Sequence, residues 1–262
     1  MQTIALVGCG NLGSAIIKGL LASGQAPQHI RASRRSLWAL QPLSELGVQT
    51  FSDNLEAIQG ADIIILGLKP YVMPKVLAEI APKLGPQQIV VSLATGLSLE
   101  RLGQELPEEQ PLVRAMPNTA ADVSESLSCL AQKNCSLQQQ KAVGRIFEAV
   151  GEAIWIEEEL MEAATILGAC GVAYVLRFIR AMVQGGIQLG FDAQTAKKIV
   201  TQTTKGAAEL LLQGGKHPEE EIDKVTTPRG CTIVGLNEME HSGFSSALIK
   251  GILASFEAIE KK

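Results

Sequence analysis

The chain has 262 residues, is 46% hydrophobic and 19% charged, and carries a formal net charge of −4. Soluble domains average about 25% charged residues, so this one has apolar side chains to spare, which excludes disorder, and its length at ~150 residues per domain points to about two domains. No basic run extends beyond Arg34-Arg35, which speaks against a nucleic-acid partner, whose phosphates call for a basic surface.

Residues 1–158 alternate short apolar runs with helical patterns. Runs rich in Val, Ile and Leu at 4–7, 30–33, 63–66, 89–93, 112–116, 126–130 and 154–156 predict strands. Helical spacing over 12–23, 37–46, 73–83 and 137–150 fills the gaps, with Pro42 set to kink or shorten the second. The alternation predicts a mainly parallel sheet wrapped by helices. From 159 to 262 no strand pattern appears. One long helix is expected over 160–189, a second over 193–212 stopped by Gly214-Gly215, and a last over 244–259. Residues 165–190 are crowded with Gly, Ala and apolar side chains, and a helix apolar most of the way round is buried on several sides. In a domain of this size that points to burial against another subunit.

The longest apolar stretch, 163–176, is shorter than the ~20 residues of a spanning helix, so no membrane segment is expected. The start, Met1-Gln2-Thr3-Ile4, lacks the basic residues of a signal peptide. Cys9, Cys129, Cys135, Cys170 and Cys231 are scattered without CxxC or metal-ligand spacing. They read as reduced thiols of a cytoplasmic protein, and no metal is expected.

Chemistry first becomes legible at Ile4-Ala5-Leu6-Val7-Gly8-Cys9-Gly10-Asn11-Leu12-Gly13, a strand, a GxGxxG turn and a helix. Gly8 permits the tight turn, Gly10 lets backbone approach a pyrophosphate, and Gly13 lets the helix pack close to the strand, with free amides facing the phosphates. A Rossmann-like doubly wound sheet with a dinucleotide site is the expectation. An NAD site usually carries an acid about twenty residues further on. Gly13 plus twenty is Ser33, in Ile30-Arg31-Ala32-Ser33-Arg34-Arg35-Ser36, which has no acid and three arginines. A 2′-phosphate suits such donors, so NADPH is expected, with NADH as a weaker alternative. Ser33 and Arg34 are the favoured contacts. The ends of two later strands, Leu68-Lys69-Pro70 and Ala94-Thr95, are expected to close over the nicotinamide half.

With these motifs in hand, the chain resembles the pyrroline-5-carboxylate reductases over nearly its whole length. The most specific part is 223–236, Asp-Lys-Val-Thr-Thr-Pro-Arg-Gly-Cys-Thr-Ile-Val-Gly-Leu, similar to the family signature D-x-V-[ST]-[ST]-P-G-G-x-T-[IL]-x-[AG]-L. Leu68-Lys69-Pro70, Val91–Gly96, Arg114–Thr119 and Thr201–Ala208 are also similar. The resemblance implies that NADPH reduces a small cyclic imine carboxylate, 1-pyrroline-5-carboxylate, to L-proline. It implies that Asn54 contacts the adenosine ribose and that the Gly230-Cys231-Thr232 backbone and the Thr232 hydroxyl hold the substrate. It implies a homodimer or larger homo-oligomer with interlocking helical domains. No His, Lys or carboxylate has an obvious claim as general acid, so Thr232 is the catalytic candidate. Arg229 departs from the pattern where the family has glycine. The segment 167–174 departs too, with Gly, Cys and Val where the family has Ser, Ser and Pro.

The signature segment has a physical reading of its own. Thr227 as N-cap and Pro228 at N1 would start a helix well, or the helix begins nearer Thr232. Either way the amides of Gly230, Cys231 and Thr232 lie at or near a helix N-terminus, where carboxylates bind without a basic side chain. His29, His217 and His241 read as surface residues, and Glu157–Glu159 and Glu219–Glu221 as solvated runs. Two rival functions remain at this stage. A 3-hydroxyacid dehydrogenase would need a catalytic lysine early in the long helix, yet none occurs between Met161 and Gln194. A non-catalytic NADP-binding regulator would have a degraded segment 226–236, yet Gly230 and Thr232 remain.

Overall fold

The computed structural model describes residues 2–260. Strands β1 (Ile4–Val7), β2 (Ile30–Ser33), β3 (Gln49–Phe51), β4 (Ile63–Leu66), β5 (Ile89–Ser92), β6 (Leu112–Met116), β7 (Ser126–Lys133) and β8 (Gly151–Trp155) form one sheet. Their order is β3-β2-β1-β4-β5-β6-β7-β8. The first six run parallel, β7 is antiparallel to β6, and β8 is parallel to β7. Between the strands lie α1 (Asn11–Ala22), α2 (Gln41–Ser44), α3 (Asn54–Ile58), α4 (Met73–Ile80), α5 (Leu99–Gly103) and α6 (Leu137–Glu148).

Every residue of β1, β4 and β5 is buried, as strands covered on both faces require. Alternate side chains go to opposite layers. Ile4 and Leu6 pack with Ile16 and Leu20 of α1 and with Ile146 and Phe147 of α6. Ala5 and Val7 pack with Met73, Leu77 and Ile80 of α4 and Leu102 of α5. Two such layers around a mainly parallel sheet are the doubly wound architecture expected. The helix expected over 37–46 resolves into a 3-10 turn, Leu37–Leu40, and the single-turn α2, whose Pro42 sits in the first turn, where its missing N–H costs nothing. Three short elements escaped the sequence reading. β3 is three edge residues, none fully buried, and α3 and α5 are five residues each, too brief to show a period.

The described chain divides into two compact units, one running to Val172 and resuming at Ala258, the other Ala173–Glu257. Beyond the sheet the chain is helical: α7 (Met161–Ala164), a π-helical segment Thr165–Cys170, α8 (Gly171–Gln188), α9 (Ala193–Gly214), α10 (Pro218–Val225), α11 (Cys231–His241) and α12 (Phe244–Glu260). Asp192 caps α9 by accepting from the Gln194 and Thr195 amides at 3.0 Å each. α10, unforeseen, is capped by His217, whose Nδ1 accepts from the Glu219 amide. Glu219–Glu221 therefore form a helical first turn, where acids suit the dipole.

In the second unit only Ala196 and Val200 are buried, while Leu176, Leu210 and Val234 are more than half exposed. Such a surface on one chain is an apolar interface in waiting. Residues 158–188 form a continuous helix whose most apolar 18-residue window has mean hydropathy 1.7, long and apolar enough to cross a membrane. The uninterrupted apolar stretch still ends at Leu176 before Arg177, and the longer window qualifies because it tolerates two charges; the core helix of a protein that spans no membrane qualifies in the same way.

Candidate active site

The glycine turn leaves β1 as its sequence dictates. Gly8 has φ +76°, and a Cβ there would lie 2.4 Å from Leu68 Cδ2. A Cβ on Gly13 would lie 2.5 Å from Leu6 Cδ2, so α1 sits hard against the strand it follows. Gly10, the N-cap of α1, faces open space. The Ser33 carbonyl accepts from the Gly8 amide at 3.1 Å and the Cys9 amide at 2.9 Å. Those two amides therefore tie the turn to β2, and the donors left facing outward are the first amides of α1, at Asn11, Leu12 and Gly13. Cys9 itself is buried, 3.7 Å from Ser14 Oγ, and burial pushes its thiol above the usual range.

Two cavities flank this turn. The first, about 550 Å³, is lined by Gly8, Gly10, Arg34, Arg35, Ser36, Asp53, Asn54, Leu68, Lys69, Lys75 and Glu79, among others. Four cations against two carboxylates make it a positive recess suited to phosphate. The second, about 310 Å³, is lined by Asn11, Leu12, Leu93, Thr95, Met116, Pro117, Asn118, Asp122 and Ala169, among others, and has no basic side chain in its lining. A cation-lined recess and one without a basic side chain in its lining, on either side of the first amides of α1, fit the phosphate-bearing and nicotinamide ends of a dinucleotide.

The structure brings most of the expected site residues to these two cavities and sets others apart. Leu68-Lys69 was expected beside Thr95 but lines the first cavity, while Thr95 lines the second. The reason is the two-layer core: Leu68 packs into the α4 layer and Leu93 into the α1 layer. Pro70 lines neither cavity and its carbonyl accepts from Met73 at the start of α4. Ala94 is buried in the α4 layer. Ser33, read as a direct contact, is fully buried, and its hydroxyl donates to Asn54 Oδ1 at 2.9 Å. It positions Asn54, and Arg35 takes a place on the cavity wall beside Arg34. Asp53, Lys75, Glu79 and Asn118 were missed. The Lys75–Glu79 spacing on α4 was the available signal, since residues four apart share a helix face.

Two further links tie the sheet to the chain that follows β8. Asn118 Nδ2 donates to the Gly168 carbonyl at 3.0 Å, and Ala169 beside it lines the cavity. Gly168 and Ala169 lie in the π-helical segment Thr165–Cys170, part of the stretch that departs from the family pattern. Buried Arg114 of β6 reaches Glu158 at 3.0 Å and Glu162 at 2.9 Å, and Glu158 also accepts from the Leu99 amide at 2.5 Å. Glu158 is therefore a structural partner rather than one of a solvated run.

The second unit carries the signature segment. Gly230 donates to the Thr227 carbonyl at 2.8 Å, with Pro228 second and Arg229 third at φ +61°, the pattern of a type II turn. The helix begins only at Cys231, with Gly230 as N-cap, so the later of the two anticipated starts is the one found. A Cβ on Gly230 would lie 2.6 Å from Thr227 Oγ1, which accounts for glycine there. Cys231 and Thr232 occupy the first turn, where backbone amides are free for an anion. Tyr174 lines an apolar groove with Phe178, Phe244 and Leu248, and its hydroxyl donates to Ser255 Oγ at 2.7 Å.

Comparison with known proteins adds the following. Residues 158–262 match the family model described as pyrroline-5-carboxylate reductase dimerisation, and residues 3–96 that described as NADP oxidoreductase, coenzyme F420-dependent. Pyrroline-5-carboxylate reductase 2 of Dictyostelium discoideum is 42% identical over 99% of this chain and 93% of its own length. Pyrroline-5-carboxylate reductase 1 of the same organism is 44% identical over 96% of this chain, which spans about half (48%) of that protein. The crystal structure of Plasmodium falciparum pyrroline carboxylate reductase with NADP bound superposes with a TM-score of 0.89 at 27% identity, covering 99% of this chain and 97% of that one.

Proposed function

The chain belongs to the pyrroline-5-carboxylate reductase family, and on that premise we propose that it reduces 1-pyrroline-5-carboxylate to L-proline with NADPH, NADH serving less well, as a cytoplasmic homodimer or larger homo-oligomer. The observation that carries this reading is the β1–α1 turn, whose free amides open between a cation-lined recess and one without a basic side chain in its lining. The nicotinamide cofactor, when bound, supplies the hydride that reduces the C=N bond. The Gly10, Asn11, Leu12 and Gly13 backbone holds the phosphates, with Gly8 and Cys9 shaping the turn. Arg34, with Arg35 and Lys69, draws in a 2′-phosphate of about two negative charges. Ser33 fixes Asn54 against the ribose, Leu68 builds the wall with Pro70 and buried Ala94 supporting it from outside the lining, and Thr95 faces the nicotinamide end.

The substrate carboxylate is held by the Gly230, Cys231 and Thr232 amides at the start of α11, and the Thr232 hydroxyl hydrogen-bonds the imine nitrogen. A threonine hydroxyl is too weak an acid to protonate the imine alone, so Thr232 orients the ring and passes on a proton from water. Much of the rate then comes from positioning. We place the functional boundary at 158/159, with a dinucleotide domain over 1–158 and a helical dimerisation and substrate domain over 159–262. The apolar helix 158–188 is covered by a second copy rather than by lipid, which the dimerisation model over 158–262 supports.

The test is purified protein with NADPH and pyrroline-5-carboxylate, followed at the nicotinamide absorbance, beside 3-hydroxyisobutyrate with NADP⁺. Turnover of the imine and none of the hydroxyacid is expected. The reverse result would transfer the chain to alcohol oxidation.

A further inference from the structure

The cation-lined cavity holds an acid that phosphate binding does not use. Asn54, the first residue of α3, receives the Ser33 hydroxyl at Oδ1 (2.9 Å) and turns its Nδ2 toward Glu79 Oε1 at 3.4 Å. Only the amide NH₂ can face a carboxylate, so the chain Ser33–Asn54–Glu79 has one direction. Glu79 is exposed on α4, lines the same cavity as Arg34 and Arg35, and forms none of the ion pairs found among the described residues. The cavity's other acid, Asp53, is committed, since its Oδ1 accepts from the Leu55 amide at 2.6 Å and the Glu56 amide at 3.3 Å as the cap of α3.

In an NAD site an acid near the end of the second strand accepts the ribose 2′-hydroxyl. Here that strand ends in Ser33, followed by Arg34, with no acid. Asn54, bonded to Ser33 at one end and to Glu79 at the other, nevertheless links the end of that strand to a carboxylate on a different helix lining the same cavity. We propose that Glu79 is the residue that sets cofactor preference: it accepts the 2′-hydroxyl of the unphosphorylated dinucleotide and opposes the 2′-phosphate that Arg34 and Arg35 attract. One recess then takes both cofactors, and the balance between one carboxylate and two guanidinium groups fixes their ratio. The inference rests on the reading above, that this cavity holds the adenosine end.

The test separates the two. Binding of 2′,5′-ADP and of 5′-ADP to the full-length protein is measured by calorimetry for the wild type, Glu79→Gln and Arg34→Ala. Arg34→Ala should weaken 2′,5′-ADP and leave 5′-ADP nearly unchanged. Glu79→Gln should tighten 2′,5′-ADP and weaken 5′-ADP, moving their ratio about tenfold, the size expected when an exposed charge-assisted hydrogen bond and a like-charge repulsion are both removed. The NADPH-to-NADH ratio of KM values should move the same way. If Arg34→Ala acts as stated and Glu79→Gln leaves the ratio unchanged, or alters both ligands alike, the role of Glu79 is overturned and the cavity assignment stands. If neither variant discriminates the ligands, the cavity assignment falls and the role of Glu79 falls with it.

Discussion

At the scale of single residues, the start of α11 carries the sharpest expectations. Thr232 sits in the first helical turn behind the Gly230 cap, so its hydroxyl and backbone amide share one small region. Thr232→Ala keeps the amide and removes the hydroxyl. If the hydroxyl orients the imine, kcat falls about ten- to a hundredfold, below the upper part of the ~10²–10⁴ range of a full general acid. NADPH affinity, measured by nicotinamide fluorescence, stays as in the wild type, and Thr232→Ser keeps most of the activity. Normal turnover by Thr232→Ala would move the proton source elsewhere, with Tyr174 the first alternative to test. Arg229 makes a second point. It stands at φ +61°, a conformation that costs a side-chain-bearing residue about 1–2 kcal/mol, and glycine escapes that cost while losing some of the gain to chain entropy. Arg229→Gly should therefore stabilise the protein by about 0.5–1 kcal/mol in urea unfolding at fixed protein concentration. A loss of stability would mean that the arginine makes contacts worth more than its strain.

At the scale of elements, the join between the sheet and the helical chain depends on Arg114. It is 3% exposed on β6 and held by Glu158 and Glu162, one on each side of the start of α7. Removing one partner of a buried ion pair costs about 3–5 kcal/mol, because the other charge stays buried unpaired. Here both carboxylates are partly solvated, so Arg114→Met should cost nearer 2–3 kcal/mol, read as a lower urea midpoint. A loss within experimental error would show that the carboxylates turn to solvent without penalty. The central strands and long helices of this join were legible in the sequence, because their apolar runs are long and their ends marked by glycine or proline. β3, α3 and α5 were not, since three to five residues give no measurable period. Nor was the π-helical turn at Thr165–Cys170, whose residues read as ordinary helix. The site followed the same rule. Glycines and arginines adjacent in sequence marked the cation-lined cavity, whereas Glu79 reaches that cavity and Asn118 the second one from elements far along the chain, and Leu68 and Thr95 part company because their strand ends face opposite layers.

At the scale of the whole molecule, the two units differ in kind. The sheet unit buries Ile4, Leu6, Ile16, Ile65 and Phe147 almost completely, while the helical unit exposes Val175, Leu176, Phe178, Met182 and Leu253 by 38% or more. Fully burying a side chain of this size contributes about 1.5–3 kcal/mol, and α8 and α12 forgo that in a lone chain. A second copy recovers it, and in a two-fold assembly each residue counts twice. Leu176 tests the argument because it is 58% exposed in one chain. Leu176→Asp should therefore leave the fold of the single chain intact, with unchanged far-ultraviolet circular dichroism, while removing apolar contact and placing a carboxylate in the interface from both copies. The combined loss of about 4–6 kcal/mol corresponds to a dimer weakened roughly a thousandfold or more. Sedimentation at micromolar concentration should then show monomer where the wild type shows dimer or larger, and reductase activity should fall with the dimer fraction. A monomeric Leu176→Asp variant with full activity would show that one chain completes its own site. An unchanged assembly would place the interface on another face of the helical unit, with the groove beside Phe178 and Phe244 the next surface to probe.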